Sequence, residues 1–167
     1  MDRIWAPWRM KYISHLEDPV DEGCIFCTKP EQDTDKKNLL IVRRKFCFAL
    51  MNLYPYNNSH ILVVPYRHLS SFEDLDSEEL LECQETIQDA IGVMRKSMSP
   101  HGFNIGMNLG KAGGAGIEQH LHWHLVPRWI GDANFMPIIG DTKVVSESIE
   151  ESWKRMADGF SQLRSGS

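Results

Sequence analysis

His120-Leu121-His122-Trp123-His124-Leu125-Val126, closed by Pro127-Arg128, alternates imidazoles with apolar residues in strict period two. That period belongs to a β-strand; on a helix the three rings would fan over about half the circumference. The strand sets Leu121, Trp123 and Leu125 against a core and stands His120, His122 and His124 in a row facing a cleft. Pro127 cannot donate a ladder hydrogen bond, so the central part of the strand is expected to stop there. Three uses compete for the row. A solvated polar face suits one histidine better than three in register. His-x-His on a strand can place two imidazoles on one zinc ion. The middle ring can instead attack phosphorus, with its neighbours orienting it.

Upstream lies Gly110-Lys111-Ala112-Gly113-Gly114-Ala115-Gly116. A glycine-rich linker costs backbone entropy, whereas beside three histidines its bare amides can form an anion nest for phosphate. The segment is not a GxxxxGK[ST] loop, because the lysine comes early and no Ser or Thr follows. Before it, residues 103–109 read as a strand and residues 77–96 as the best-marked helix. Asp76 and Glu79 form a capping-box pattern, and Leu75 and Leu80 a hydrophobic staple. Leu80, Gln84, Ile87, Ile91 and Met94 make one face, broadened by Leu81, Cys83 and Ala90, and this stripe is read as core packing. Residues 39–42 and 46–51 predict a hairpin whose basic turn lacks glycine, and residues 60–64 a third strand closed by Pro65. Beyond the triad, residues 130–143 read as loop. A second amphipathic helix starts at Ser146, with Ile149, Trp153, Met156, Phe160 and Leu163 on one stripe.

The chain has 167 residues, 42% of them apolar and 25% charged, enough for one domain with a sizeable core. Eighteen basic against twenty-three acidic residues leave a net charge of −5, against the basic excess expected of a nucleic-acid-polymer binder. A small anion can still be held by local donors. No apolar run approaches the ~20 residues of a membrane span, and the N-terminus lacks a signal peptide's apolar run and cleavage site. A cytoplasmic location with no membrane partner is therefore expected. Trp5, Trp8 and Tyr12 make residues 1–23 too aromatic for a free tail, so this segment is expected to dock on the body or on a partner subunit.

Four cysteines are too few for a disulfide scaffold, and Cys47 and Cys83 read as core residues. Cys24-x-x-Cys27 is different. A redox pair would want a βαβ setting that this chain does not show, and two core thiols would make the spacing a coincidence. Zinc is favoured, with two histidines elsewhere completing a tetrahedral Cys₂His₂ site.

The triad, together with Asn52-Leu53-Tyr54-Pro55-Tyr56-Asn57, His60-Ile61-Leu62-Val63-Val64-Pro65, Phe103-Asn104-Ile105-Gly106-Met107-Asn108 and Gly131-Asp132-Ala133-Asn134-Phe135, resembles the histidine triad (HIT) nucleotide hydrolases and transferases. The likeness spans most of residues 24–145, nearest the branch containing microbial diadenosine tetraphosphate phosphorylases. It implies an α+β fold, with a five-stranded, mainly antiparallel sheet under one long helix. On this reading 24–145 is the HIT domain, 146–164 a helix packed on it and 165–167 a disordered tail. It also implies a homodimer and a nucleotide substrate. His122 becomes the nucleophile toward the α-phosphorus, and His124 and His120 its catalytic neighbours. Asn52 serves the ribose, and Asn108, Gly116 and Ile117 the phosphate oxygens. The zinc-bearing relatives, galactose-1-phosphate uridylyltransferase among them, imply His68 and His120 as the remaining ligands of a structural zinc, with His60 the main substitute. A transferase to a sugar phosphate often has Gln at the triad's third position, where His124 stands here. A zinc-stabilised nucleotide-binding module without turnover is the other alternative. Gly116 replaces the Gln of many triad hydrolases. The space it leaves, with Lys111 and the amides of residues 113–116, favours phosphate over water as acceptor.

Overall fold

Period two in the sequence becomes a two-sided sheet. The computed structural model describes residues 23–132 and 147–165. Strands β1 (Leu40–Arg43), β2 (Cys47–Met51), β3 (Ile61–Pro65), β4 (Gly102–Met107) and β5 (Trp123–Arg128) form one sheet in the order β1-β2-β3-β5-β4. Every neighbouring pair is antiparallel. Cys47, Ala49, Met51, Ile61, Val63, Trp123 and Leu125 point to one face and join the main core. Phe48, Leu50, Leu62 and Val64 point to the other and pack with Phe26 and Leu40. Both faces of the central strands are buried, so β2 and β3 read as continuous apolar runs.

The long helix α3 (Ser77–Met98) covers the main-core face. Its capping box forms, with Asp76 N–H donating to Glu79 Oε2 at 3.0 Å. The buried stripe is rotated from the expected one: Thr86 and Val93 join Cys83, Ile87, Ala90 and Met94, while Gln84 and Leu81 face solvent. The rotation follows from a second neighbour. Helix α4 (Ile149–Ser165) packs beside α3, burying Met156 and Phe160, and its Trp153 Nε1–H donates to Leu40 O at 2.7 Å.

The glycine-free hairpin turn between β1 and β2 is held from outside. Glu82 of α3 accepts from the backbone N–H groups of Lys45, Phe46 and Cys47 at 3.1, 2.5 and 3.0 Å. Those bonds satisfy the turn's donors without a left-handed residue.

The cysteine pair and the polar stretch after it carry two short helices, α1 (Ile25–Glu31) and α2 (Asp35–Asn38), with Cys24 at the N-cap of α1. Two expectations are corrected. Strand β4 ends at Met107 rather than Leu109. The triad strand begins at Trp123, so His120 and His122 precede the ladder, and it runs through Pro127 to Arg128. Pro127 is tolerated because β3 pairs with β5 only from Trp123 to Leu125. The Pro127 carbonyl accepts instead from Asn57 Nδ2 at 3.0 Å. A strand residue's N and O point to the same side, so the missing N–H faces where β3 has already ended.

Among the described residues no helix is long and apolar enough to cross a membrane. Residues 1–22 of the expected N-terminal docking segment, residues 133–143 of the loop after the triad, the expected helix start at Ser146 and the last two residues lie outside the described residues.

Candidate active site and metal cluster

A cleft of about 820 Å³, open mouth included, lies on the sheet face opposite α3. His122 and His124 line it with Asn52, Tyr54, Tyr56, Asn108, Gly114, Gly116 and, from α1, Ile25, Phe26 and Lys29. The lining mixes apolar side chains with a few histidines, amides and glycines, the composition of a small-molecule pocket. Burial pushes the Lys29 ammonium below its ordinary range.

Hydrogen bonds fix which imidazole nitrogens carry protons. His122 is 5% exposed, and its Nδ1 lies 2.8 Å from the His120 carbonyl oxygen. A carbonyl only accepts, so Nδ1 holds the proton and Nε2 keeps its lone pair. Burial lowers the His122 pKa, against a smaller opposing effect of that bond, so the ring stays neutral near pH 7. His124 is set by a longer relay. Tyr56 N–H donates to His60 Nδ1 at 3.0 Å, and Asn52 Nδ2 approaches the same nitrogen at 3.2 Å. The His60 proton is therefore on Nε2, which lies 3.0 Å from His124 Nδ1. His124 must accept there and, when neutral, carries its own proton on Nε2. Two neighbouring rings, 5.0 Å apart, are thus held in opposite tautomers, one with a bare Nε2 and one with an Nε2–H.

His60 is the residue the sequence reading misplaced. It was expected as a substitute metal ligand, yet it is fully buried behind His124 and outside the cysteine cluster. The pairing of Leu62 with His124 carries it there, a long-range fact that no local motif announces.

His120 points away from the cleft. Its Nδ1 lies 3.3 Å from Cys24 Sγ and 3.6 Å from Cys27 Sγ, and Cys27 Sγ is 3.4 Å from His68 Nδ1. The four ligand atoms all lie within 4.8 Å of one another. Tetrahedral bonds of 2.0–2.3 Å put neighbouring ligand atoms roughly 3.5 Å apart, so the spacing fits a small metal ion. His120 Nε2 donates to Pro65 O at 2.9 Å, which leaves Nδ1 free to ligate and orients the ring from behind. Burial lowers the His120 pKa and keeps the ring in its ligating, neutral form. Burial and the neighbouring Cys24 raise the Cys27 pKa, a charge penalty that a cation would reverse.

The remaining expected residues divide. Asn52 lines the cleft, but its Oδ1 already accepts from Tyr54 N–H at 3.0 Å, so it is a turn residue and a buttress of His60 as well. Asn108 Nδ2 donates to Gly114 O at 3.3 Å and braces the glycine loop. Gly116 and Ile117, expected at the phosphate oxygens, line the cleft. Gly114 does too, with a φ of 84° that favours glycine. Lys111 is exposed and does not line the cleft, contrary to its expected part in anion binding, because the turn from Gly110 to Ala115 carries it outward.

A HIT-domain model matches residues 33–129. The chain belongs to the HIT family. This HIT chain is 41% identical over 164 residues to the AP-4-A phosphorylase of Mycobacterium tuberculosis, covering 94% of this chain and 83% of that protein. It is 33% identical over 86 residues to the asymmetrical bis(5'-nucleosyl)-tetraphosphatase of Schizosaccharomyces pombe, covering 52% of this chain and 47% of that one. Among solved structures, a Zn-bound histidine triad family protein from Mycobacterium smegmatis superposes with a TM-score of 0.65 at 24% identity, covering 87% and 98% of the two chains. A uridylyltransferase superposes at 0.68 and 15% identity, covering 92% of this chain and 50% of its own. At these identities the two structures speak for the shared fold alone.

Proposed function

We propose that this HIT protein is a nucleotidyl-transferring enzyme that cleaves dinucleoside polyphosphates at the α-phosphate and passes the nucleotidyl group to inorganic phosphate. The observation that carries the reading is the pair of opposed tautomers in the cleft. His122 Nε2 attacks the α-phosphorus, a P–N bond forms and the bridging P–O bond breaks. The Nε2–H of His124 goes to the leaving oxygen. Phosphate then enters where the leaving group departed, returns a proton to His124 and displaces His122, giving a nucleoside diphosphate. The glycine loop at Gly114 and Gly116 holds the non-bridging oxygens, Asn52 faces the ribose, and Ile25, Phe26, Leu53 and Ile117 wall the base.

The extended likeness to an AP-4-A phosphorylase supports diadenosine tetraphosphate as substrate. Gly116 supports phosphate as acceptor by leaving room for a second anion. The outward position of Lys111 weakens that argument, so water is the second reading. Cys24, Cys27, His68 and His120 would hold a zinc ion that supplies a rigid, closed cross-link. A cytoplasmic setting, where thiols stay reduced, suits such a site. Strand β4 is a sheet edge whose Ile105 is 50% exposed, and pairing with a second copy along it would cover that edge.

The test is product chromatography after incubation with diadenosine tetraphosphate, with and without phosphate. ADP and ATP should form only with phosphate. AMP and ATP appearing at one rate in both would make the protein a hydrolase. Binding without turnover and without a trapped His122 adduct would leave only a nucleotide-binding module.

A further inference from the structure

His120 and His122 precede the ladder of β5, so the sheet does not fix the backbone between them. The cysteine–histidine cluster holds it by three routes, with the Pro65 carbonyl at the end of β3 as a further anchor. The His120 ring is anchored at Nδ1 by the two thiols and at Nε2 by Pro65 O, and its own carbonyl accepts the His122 Nδ1–H at 2.8 Å. Leu121 N–H donates to Leu69 O at 2.7 Å, and Leu69 adjoins His68 of the cluster. Phe26, between the two cysteines and 1% exposed, packs with its ring centroid 5.0 Å from that of His122 and 5.5 Å from that of His120.

We propose that the Cys24–Cys27–His68–His120 cluster is the mount of the nucleophile, so that its metal occupancy sets the orientation and tautomer of His122 through the His120 carbonyl and Phe26. His120 is then a positioning residue, and activity follows metal occupancy as well as stability does. The inference rests on His122 being the nucleophile. An oriented neutral imidazole needs its Nδ1–H held in one direction. Here the holding acceptor belongs to a residue whose ring is anchored by the cluster at Nδ1 and by the Pro65 carbonyl at Nε2. Releasing Nδ1 of His120 frees the ring to turn about Nε2, and the carbonyl that fixes His122 shifts with it.

The test uses the full chain, loaded with Zn²⁺ and stripped with a chelator below its unfolding temperature, and His68→Ala, which removes an exposed ligand outside the cleft. Two quantities are read: solvent exchange of the His122 Nδ1–H by imidazole ¹H–¹⁵N NMR, and the single-turnover rate of nucleotidyl-His122 formation. Stripping should speed exchange and slow adduct formation by about tenfold or more, the scale of an outer-shell loss. AMP affinity should change far less, and Zn²⁺ alone should restore both quantities. His68→Ala should need more Zn²⁺ to recover them.

If stripping lowers only the melting temperature, with exchange and adduct formation unchanged, the inference is overturned. Should the stripped chain unfold, Cd²⁺ in place of Zn²⁺ keeps four ligands while moving His120. Identical exchange and adduct rates in the two loaded forms would then overturn it. A metal-dependent His122 Nδ1–H in a protein without turnover would sink the proposed function and uphold the mount. Turnover indifferent to metal would do the reverse.

Discussion

The His60 relay makes a prediction that depends on the leaving group. His60→Phe keeps ring volume against Tyr56, whose centroid lies 4.8 Å away, but deletes the bond to His124 Nδ1. Without that donor, His124 can turn or place its proton on Nδ1, away from the leaving oxygen. The lost interaction is one buried hydrogen bond of about 2 kcal/mol, which corresponds to roughly a 30-fold lower rate where proton donation limits. The substitution also strands the Tyr56 N–H, costing about 1–3 kcal/mol of stability, so assays belong well below the lowered Tm. The readout is kcat/KM on two substrates with the same adenylyl group: a phosphoramidate, whose amine must be protonated to leave, and a p-nitrophenyl ester, whose phenolate needs little help. The 30-fold loss should appear on the first, and less than about threefold on the second. Equal losses on both would show that His60 only supports the fold, and no loss on either would refute the relay.

Other consequences can be checked separately. His122→Ala should abolish the trapped adduct and lower turnover by several orders of magnitude, with AMP affinity retained in calorimetry. Elemental analysis of protein purified without added metal should find one zinc per chain, and none after Cys24→Ser. In Gly159→Ala the new methyl would overlap Val93 Cγ1 at the α3–α4 contact, so the variant should lose about 1–3 kcal/mol in urea unfolding despite alanine's better helix propensity. Arg128 and the backbone N–H of Trp129 hold the Asp132 carboxyl down to about 2, from an ordinary 3.8. Stability from this pair is present above pH 3.8 and lost as pH falls toward 2. With Arg128 46% exposed, screening leaves about 1 kcal/mol, so Asp132→Asn should be that much less stable at pH 7 and converge with the parent near pH 2.

The sheet and both amphipathic helices were legible because period two survives in residues 120–125, β2 and β3 stand out as unbroken apolar runs, and period 3.6 survives in residues 149–163. The Cys24/Cys27/His68/His120 grouping was legible only with the family likeness, since nothing local links residues 27, 68 and 120. Helix α1 was not legible. Ile25-Phe26-Cys27-Thr28-Lys29-Pro30 has poor helix propensity, and burial of Phe26 beneath the triad overrides it. Nor was the rotation of α3, because Thr86 and Val93 are drawn inward by its contact with α4 and the Cys47 thiol, which lies 3.4 Å from Thr86 Oγ1. His60 stayed hidden for a similar reason. Its role depends on a backbone N–H four residues earlier and a ring on another strand, and neither leaves a trace in spacing.

Residues of alternating parity on β2 and β3 answer to different demands. Cys47 and Ala49 pack in the core beneath α3, Met51 joins that core and also lines the cleft, and Leu50 and Leu62 line the cleft with Phe48 and Val64 buried beside them. Substitutions at Cys47, Ala49, Ile61 and Val63 therefore act on folding, whereas those at Leu50 and Leu62 act on folding and on the shape of the cleft together. A lineage that reshapes the cleft through these strands must therefore refill the core that Leu50 and Leu62 share with Phe26 and Leu40.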